Sequence, residues 1–104
     1  MPTVSIVIGD AGVATLKLDR ADRFNALSRP LLADLLAALA QLASDKRCKA
    51  LIITGSGCAF CAGADLNTFV EMRAEGIYSD TGQQVSAAMS QGFNPLMAAL
   101  MAFP

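Results

Sequence analysis

The sequence predicts an α/β fold in which a short hairpin feeds a mixed, largely parallel sheet with helices packed outside it. Three observations carry this reading: two β-branched or alternating runs around a Gly/Asp turn, a leucine-periodic helix after them, and an unbroken apolar run after the helix. Residues 4–8 (VSIVI) and 13–18 (VATLKL) flank Gly9-Asp10-Ala11-Gly12, the pattern of a β-hairpin. The charged stretch 19–23 is a loop. Ser28 is placed to cap a helix with Pro30 in its first turn, where the missing N–H costs nothing. Leu31, Leu32, Leu35, Leu36, Leu39 and Leu42 then recur at helical spacing to about Ala43, and Asp45-Lys46-Arg47 ends the helix. Residues 50–54 (ALIIT) read as a strand buried on both faces. Strand, helix, strand in that order implies a right-handed crossover and a parallel pair.

Beyond that strand, residues 55–66 (GSGCAFCAGADL) are dominated by glycine and small side chains, so backbone can approach a ligand closely. Asp65 is a cap for a short helix running to about Arg73. Residues 74–83 read as loop, and 85–90 as a weakly amphipathic helix that Gly92 interrupts. Asn94-Pro95 reads as a fresh cap and first turn, opening a helix that Phe103-Pro104 stops. Met89, Met97 and Met101 read as core filler.

Composition narrows the function classes. The 104 residues are 54% hydrophobic and 16% charged, against about 25% charged in ordinary soluble domains. A chain this short has a high surface-to-volume ratio and struggles to bury so much apolar side chain. One part of a larger domain is therefore expected. With net charge −1 and no basic cluster, there is no electrostatic footprint for nucleic acid or an anionic membrane. No apolar run approaches a membrane span, and the opening residues 1–4 lack the basic region of a signal peptide. Three cysteines fit a reduced, cytoplasmic protein. Histidine is absent, which removes Ser-His and Cys-His nucleophile pairs and histidine metal sites from this chain's own chemistry.

The segment 55–66 resembles the G-x-G-x-x-F-x-A-G-x-D-[LI] signature of the enoyl-CoA hydratase/isomerase (crotonase) superfamily. Upstream, residues 18–28 (LDRADRFNALS) resemble that family's L-[ND]-R-P-x-x-x-N-A-L segment, with Ala21 where the family usually has Pro. The terminal NPLMAALMAFP is similar to the helix before the family's next strand. The resemblance implies the start of a crotonase-like ββα spiral, with residues 1–104 the N-terminal part of one domain that stops before its C-terminal half. It implies an acyl-CoA thioester as substrate and no separate cofactor or metal. In the full-length family it also implies homo-oligomers, trimers or dimers of trimers. The second oxyanion donor and the acidic catalytic residues would lie beyond Pro104. FCAGADL with the NPL helix is also similar to the ring-epoxyphenylacetyl-CoA isomerase branch.

By resemblance, the backbone N–H of Ala64 is one of two donors to the oxygen of an enolate-like thioester. The local sequence fits, because Gly63 permits an unusual backbone and Asp65 starts a helix whose N-terminus carries partial positive charge. A tight strand-to-helix turn of small residues would look the same. The family also lines its CoA groove from this loop and the FNAL segment, which implies Phe24, Ala26, Ala62, Asp65 and Leu66 as contacts and Arg23 as available to phosphates. Arg23 is the weakest of these contacts, since most loop arginines are simply solvated, and that is the reading preferred for it. Asp65 is a helix cap first, since a carboxylate here opposes developing negative charge unless its oxygens face N–H groups.

Other signals carry less. Cys58 and Cys61 form a CxxC, but zinc needs four ligands and only Cys48 could join them; a redox pair would open a helix at its first Cys. Small apolar packing is the reading adopted for both. Gly55-Ser56-Gly57 lacks the third glycine and the later acid of a dinucleotide site, and no Gly-Lys-Ser/Thr phosphate loop is present. Glu71 and Glu75 read as the solvated face of a short helix. The alternative to an enzyme part is an inactive truncated fragment or partner-dependent interaction domain, because an unpaired strand and several apolar helix faces need covering.

Overall fold

The computed structural model describes residues 3–76 and 80–104, apart from the side chains of Phe69, Met72, Arg73 and Thr81. Strands β1 (Val4–Ile8) and β2 (Val13–Leu18) form the expected antiparallel hairpin, with Val4 opposite Leu18 and Ile8 opposite Ala14. Gly12 closes the turn at φ +85°, donating its N–H to the Gly9 carbonyl at 3.0 Å. A side chain at that position would meet both the left-handed backbone and the Arg47 carbonyl, 2.9 Å from where a Cβ would stand. Helix α1 (Arg29–Ser44) follows a single 3₁₀ turn at Ala21–Arg23. Ser28 caps it as expected, its Oγ accepting from the Leu31 N–H at 3.3 Å. Asp45, in extended backbone, ends it.

β3 (Ala50–Gly55) then pairs in parallel with β2, Val13 opposite Ala50 through Leu18 opposite Gly55, giving the sheet order β1-β2-β3. Ala14, Leu16 and Leu18 point from the central strand into α1, where Leu31, Leu35, Ala38, Leu39 and Leu42 meet them in one core. Alternation puts the other side chains on the opposite face. There Val7 and Ile52 are 66% and 51% exposed. The expectation that β3 is buried on both faces therefore fails in this chain: α1 covers one face of the sheet, and β3 lies at its edge.

Three helices complete the chain. α2 (Leu66–Glu75) runs two residues past the expected end. α3 (Thr81–Ala88) starts earlier than periodicity suggests, because the Asp80 carboxylate accepts from the Gln83 N–H at 2.8 Å and caps it. The expected loop 74–83 thus shrinks, and its residues 77–79 lie outside the described residues. Gly92 does not interrupt the helical path. A π turn at Met89–Phe93 carries α3 directly into α4 (Asn94–Met101), and Asn94 has helical backbone instead of capping. The physical reason is proximity to α1, since a Cβ at Gly92 would lie 2.9 Å from the Leu32 side chain. Leu96 is the residue of α4 buried in the core. Met89, Met97 and Met101 are 42%, 52% and 87% exposed, so they are not core filler.

Candidate active site

The segment after β3 is shaped by a residue from before α1. Asn25 is fully buried and sits at φ +56°, a left-handed backbone that asparagine tolerates better than most side chains. Its Nδ2 donates to the carbonyls of Ser56 at 3.0 Å and Ala59 at 2.8 Å, and its Oδ1 accepts from the Arg20 N–H at 2.8 Å. One side chain thereby ties residues 20–25 to the loop 56–59. Gly55 admits this arrangement, because a Cβ there would lie 2.7 Å from Asn25 Nδ2 and collide with the Phe60 carbonyl. Ala21, the alanine in the family's proline position, opens the 3₁₀ turn and leaves room only for a glycine at Gly57, where a Cβ would come within 2.9 Å of its own.

Further along, the two segments run side by side. The Ala62 N–H donates to the Phe24 carbonyl at 3.0 Å, the Leu27 N–H to the Gly63 carbonyl at 2.7 Å, and the Asp65 N–H to the Leu27 carbonyl at 3.2 Å. The last two bonds form a parallel bridge between Leu27 and Ala64. In such a bridge one residue uses both of its backbone groups and the residue opposite uses neither. Here Leu27 is the bonded member, so the N–H of Ala64 points away from it. Among the described residues no group accepts that hydrogen, although backbone N–H groups are nearly always paired when buried. Ala64 is an exposed residue, and it lies on the wall of a surface concavity. Gly63, at φ +100°, supplies the bend that turns the chain at this point.

Arg23, Phe24, Ala26, Ala62, Ala64, Asp65 and Leu66 all line one open concavity of about 410 Å³, together with Asp22 and Asn67. The structure thus brings together every residue that the sequence singled out. Asp65 is buried, and both of its carboxylate oxygens are engaged. Its Oδ1 accepts from the Asn67 N–H at 2.9 Å, capping α2, and its Oδ2 pairs with Arg20 at 3.3 Å. The negative charge beside the open N–H is therefore held in donors of its own. Sequence reading did not single out Asn25 or Arg20, although both stand in the quoted LDRADRFNALS segment; their partners lie 31 to 45 residues away.

Glu75 does not simply face solvent. Arg29, at the start of α1, donates to it at 2.6 Å and holds its carboxyl below the ordinary carboxylate range. Glu71 is exposed as expected. Cys58 is exposed, which contradicts a packing role for it, while Cys61 is half-buried and its Sγ accepts from the Gly63 N–H at 3.4 Å. Among the described residues no cluster of His, Cys, Asp or Glu could hold a metal ion, and no helix is long and apolar enough to cross a membrane.

A hairpin, a leucine-rich crossover helix, a parallel strand and a glycine-bent loop with an open amide define an α/β chain of the crotonase kind. The sequence matches the Enoyl-CoA hydratase/isomerase family over residues 9–102. It is 35% identical over 95 residues to the 1,2-epoxyphenylacetyl-CoA isomerase of Escherichia coli (strain K12), covering 91% of this chain and 34% of that protein. It is 32% identical over 91 residues to the enoyl-CoA hydratase AKT3-2 of Alternaria alternata, covering 86% and 31%. Among solved structures, an enoyl-CoA hydratase from Bacillus anthracis superposes with a TM-score of 0.79 at 31% identity, covering 98% of this chain and 36% of that one. One from Shewanella pealeana gives 0.76 at 28%, with coverage of 98% and 36%. The chain belongs to the enoyl-CoA hydratase/isomerase (crotonase) family. It spans about a third of the length of the curated relatives it matches. Isomerase and hydratase relatives stand at comparable identity, so the similarity defines the family rather than the branch.

Proposed function

We propose that this chain is the acyl-CoA-binding part of an enoyl-CoA hydratase/isomerase-type enzyme, in which the Ala64 N–H is the first of two donors to the thioester oxygen. The observation that carries the reading is the Leu27–Ala64 bridge, which satisfies the groups on either side of the Ala64 amide and leaves that amide unspent. A thioester carbonyl gains negative charge as its α-carbon loses a proton or its double bond accepts a nucleophile. A fixed N–H already aimed at that oxygen needs no reorganisation when the charge appears; loss of one such donor typically costs about 10²–10³ in rate. Phe24, Ala26, Ala62 and Leu66 form the wall along the thioester, and Arg23 on the rim meets the CoA phosphates. Asp65 contributes by capping α2 and pairing with Arg20, and does not touch the reacting atoms.

In this reading the second donor and the acid/base groups come from the part of the family domain that these residues do not span. The whole enzyme is further proposed to be a cytoplasmic homo-oligomer, as the family resemblance implies and as a low, odd number of cysteines suits. A second reading, a partner-dependent interaction domain, is favoured by exposed Val7 on β1 and Ile52 on β3, on the sheet face that α1 leaves uncovered, and by exposed Phe60 in the loop after β3. Calorimetric titration with butanoyl-CoA and with its S-butyl thioether separates the two. An oxygen-directed donor makes the thioester bind roughly two- to tenfold more tightly, one neutral hydrogen bond's worth. Equal affinities, or binding of neither, contradict the donor role.

A further inference from the structure

Two thiols bracket Ala59, one of the two carbonyls that Asn25 holds, and the second of them is hydrogen-bonded to the residue that bends the chain before Ala64. Cys58 is exposed and Cys61 half-buried, and both are free. The Cys61 Sγ accepts from the Gly63 N–H at 3.4 Å, so this sulfur helps to fix the φ +100° bend. The Gly63 carbonyl in turn accepts from Leu27, one of the two bonds that orient Ala64. Cys61 also lines an entirely apolar cavity of about 150 Å³ on the core side, with Leu18, Leu35, Ile53, Phe60 and Leu96. Between the thiols, the Ala59 carbonyl accepts from Asn25 Nδ2 at 2.8 Å. The pair lies in irregular backbone between β3 and α2, unlike the helix-opening pair of a dedicated redox module.

We propose that Cys58 and Cys61 form a thiol-oxidation site that closes to an intramolecular disulfide and, in closing, releases Gly63 and re-aims the Ala64 amide. Disulfide closure needs the two Cα atoms about 4.4–6.8 Å apart with a fixed Cβ–S–S–Cβ dihedral. The Cys61 sulfur must rotate away from Gly63 to meet it, and the Asn25 bond to Ala59 competes with the tightened four-residue ring. A low-molecular-weight disulfide is the oxidant. The exposed Cys58 thiolate attacks one of its sulfurs, breaking that S–S bond and expelling one thiolate, and a mixed disulfide forms. The Cys61 thiolate then attacks the Cys58 sulfur and expels the second. Two protein thiols are oxidised, one external disulfide is reduced to two thiols, and the two cysteine protons end on the released thiols through solvent. Transient, regulatory disulfides are the kind that reducing compartments tolerate. The effect on acyl-CoA binding rests on the proposed role of Ala64, whereas closure and loop displacement do not.

The test treats the full 104-residue chain with oxidised glutathione and reads intact mass, peptide maps and amide exchange by NMR. The expected product has lost two hydrogens, carries a Cys58–Cys61 link, and exchanges the Gly63 amide about tenfold faster, with the Ala64 resonance shifted. Dithiothreitol restores the reduced spectrum. Cys58→Ser, which leaves the Gly63 bond to Cys61 in place, keeps the reduced loop spectrum and cannot close. A lasting glutathione adduct on Cys58, a link through Cys48, or a closed disulfide with unmoved Gly63 and Ala64 amides overturns the proposal. Butanoyl-CoA binding is measured on both forms: binding to neither, with closure and displacement intact, sinks the acyl-CoA reading alone.

Discussion

Residues 3–44 supply ten of the eleven buried apolar side chains of the core, and the rest of the described chain supplies Leu96. Among the described residues, exposed large apolar side chains divide the other way: eight of eleven, from Ile52 to Met101, lie beyond residue 44. The first region is held by its own packing, with one helix laid on one sheet face. The second leans on that core through half-buried residues such as Leu51, Ile53, Phe93 and Leu100, and through polar bonds that reach back into the first. Its loop 56–65 is shaped by Asn25, Leu27 and Phe24. What this teaches is that the candidate site borrows its geometry: small residues from one region are fixed by amide bonds from another, and their own side chains contribute little.

Substitutions can break that division. The largest effect is expected in the first region, where Leu39→Ala removes a side chain that is 1% exposed and should cost about 2–5 kcal/mol in urea unfolding. Asn25→Ala strands the Ser56 and Ala59 carbonyls and the Arg20 N–H together, with an expected cost of roughly 2–3 kcal/mol. It should also weaken butanoyl-CoA binding, which Leu39→Ala tested below its unfolding range should not. Gly63→Ala forces a side chain into φ +100°, at about 1–3 kcal/mol, and should weaken binding similarly. Met101→Ser, in the second region, should fall within about 0.5 kcal/mol of the parent. A Met101→Ser loss as large as that of Leu39→Ala would erase the contrast between the regions.

The smallest expected effect is electrostatic and lies at the end of α1. Hydrogen bonds from the Arg47 side chain and backbone hold Asp45 down at about 2, against an ordinary 3.8. A folded-state value below the unfolded one means that the stabilisation is present above the unfolded value and fades as pH falls toward about 2. Asp45→Asn should therefore flatten the stability profile of the parent between about pH 4 and 2 while leaving neutral-pH butanoyl-CoA affinity unchanged.

Legibility in the sequence follows the same division. The hairpin, the Ser28 cap, the leucine stripe of α1 and the parallel strand are local patterns, and each forms where periodicity and turn chemistry place it. The seven candidate site residues came through a family motif and converge on one concavity. Asn25 and Arg20 escaped notice as site organisers because the Ser56, Ala59 and Asp65 groups they hold are 31 to 45 residues away and only folding brings them together. Gly92 read as a helix breaker because propensity is a local quantity, whereas its role is close approach to Leu32. Exposed methionines on α4 carry the same helical spacing as buried ones would, so periodicity could not separate filler from surface.

On this proposal the hydrogen on the Ala64 nitrogen, which has no partner among the described residues, is left for a thioester oxygen. Amide exchange and chemical shift at Ala64, followed by NMR through a butanoyl-CoA titration, address it directly. The expected result is a fast-exchanging Ala64 amide in the free chain that shifts and becomes protected on saturation, beside Ala62 and Asp65 amides already protected by Phe24 and Leu27. An Ala64 amide protected without ligand, or one unmoved by saturating butanoyl-CoA, would contradict it.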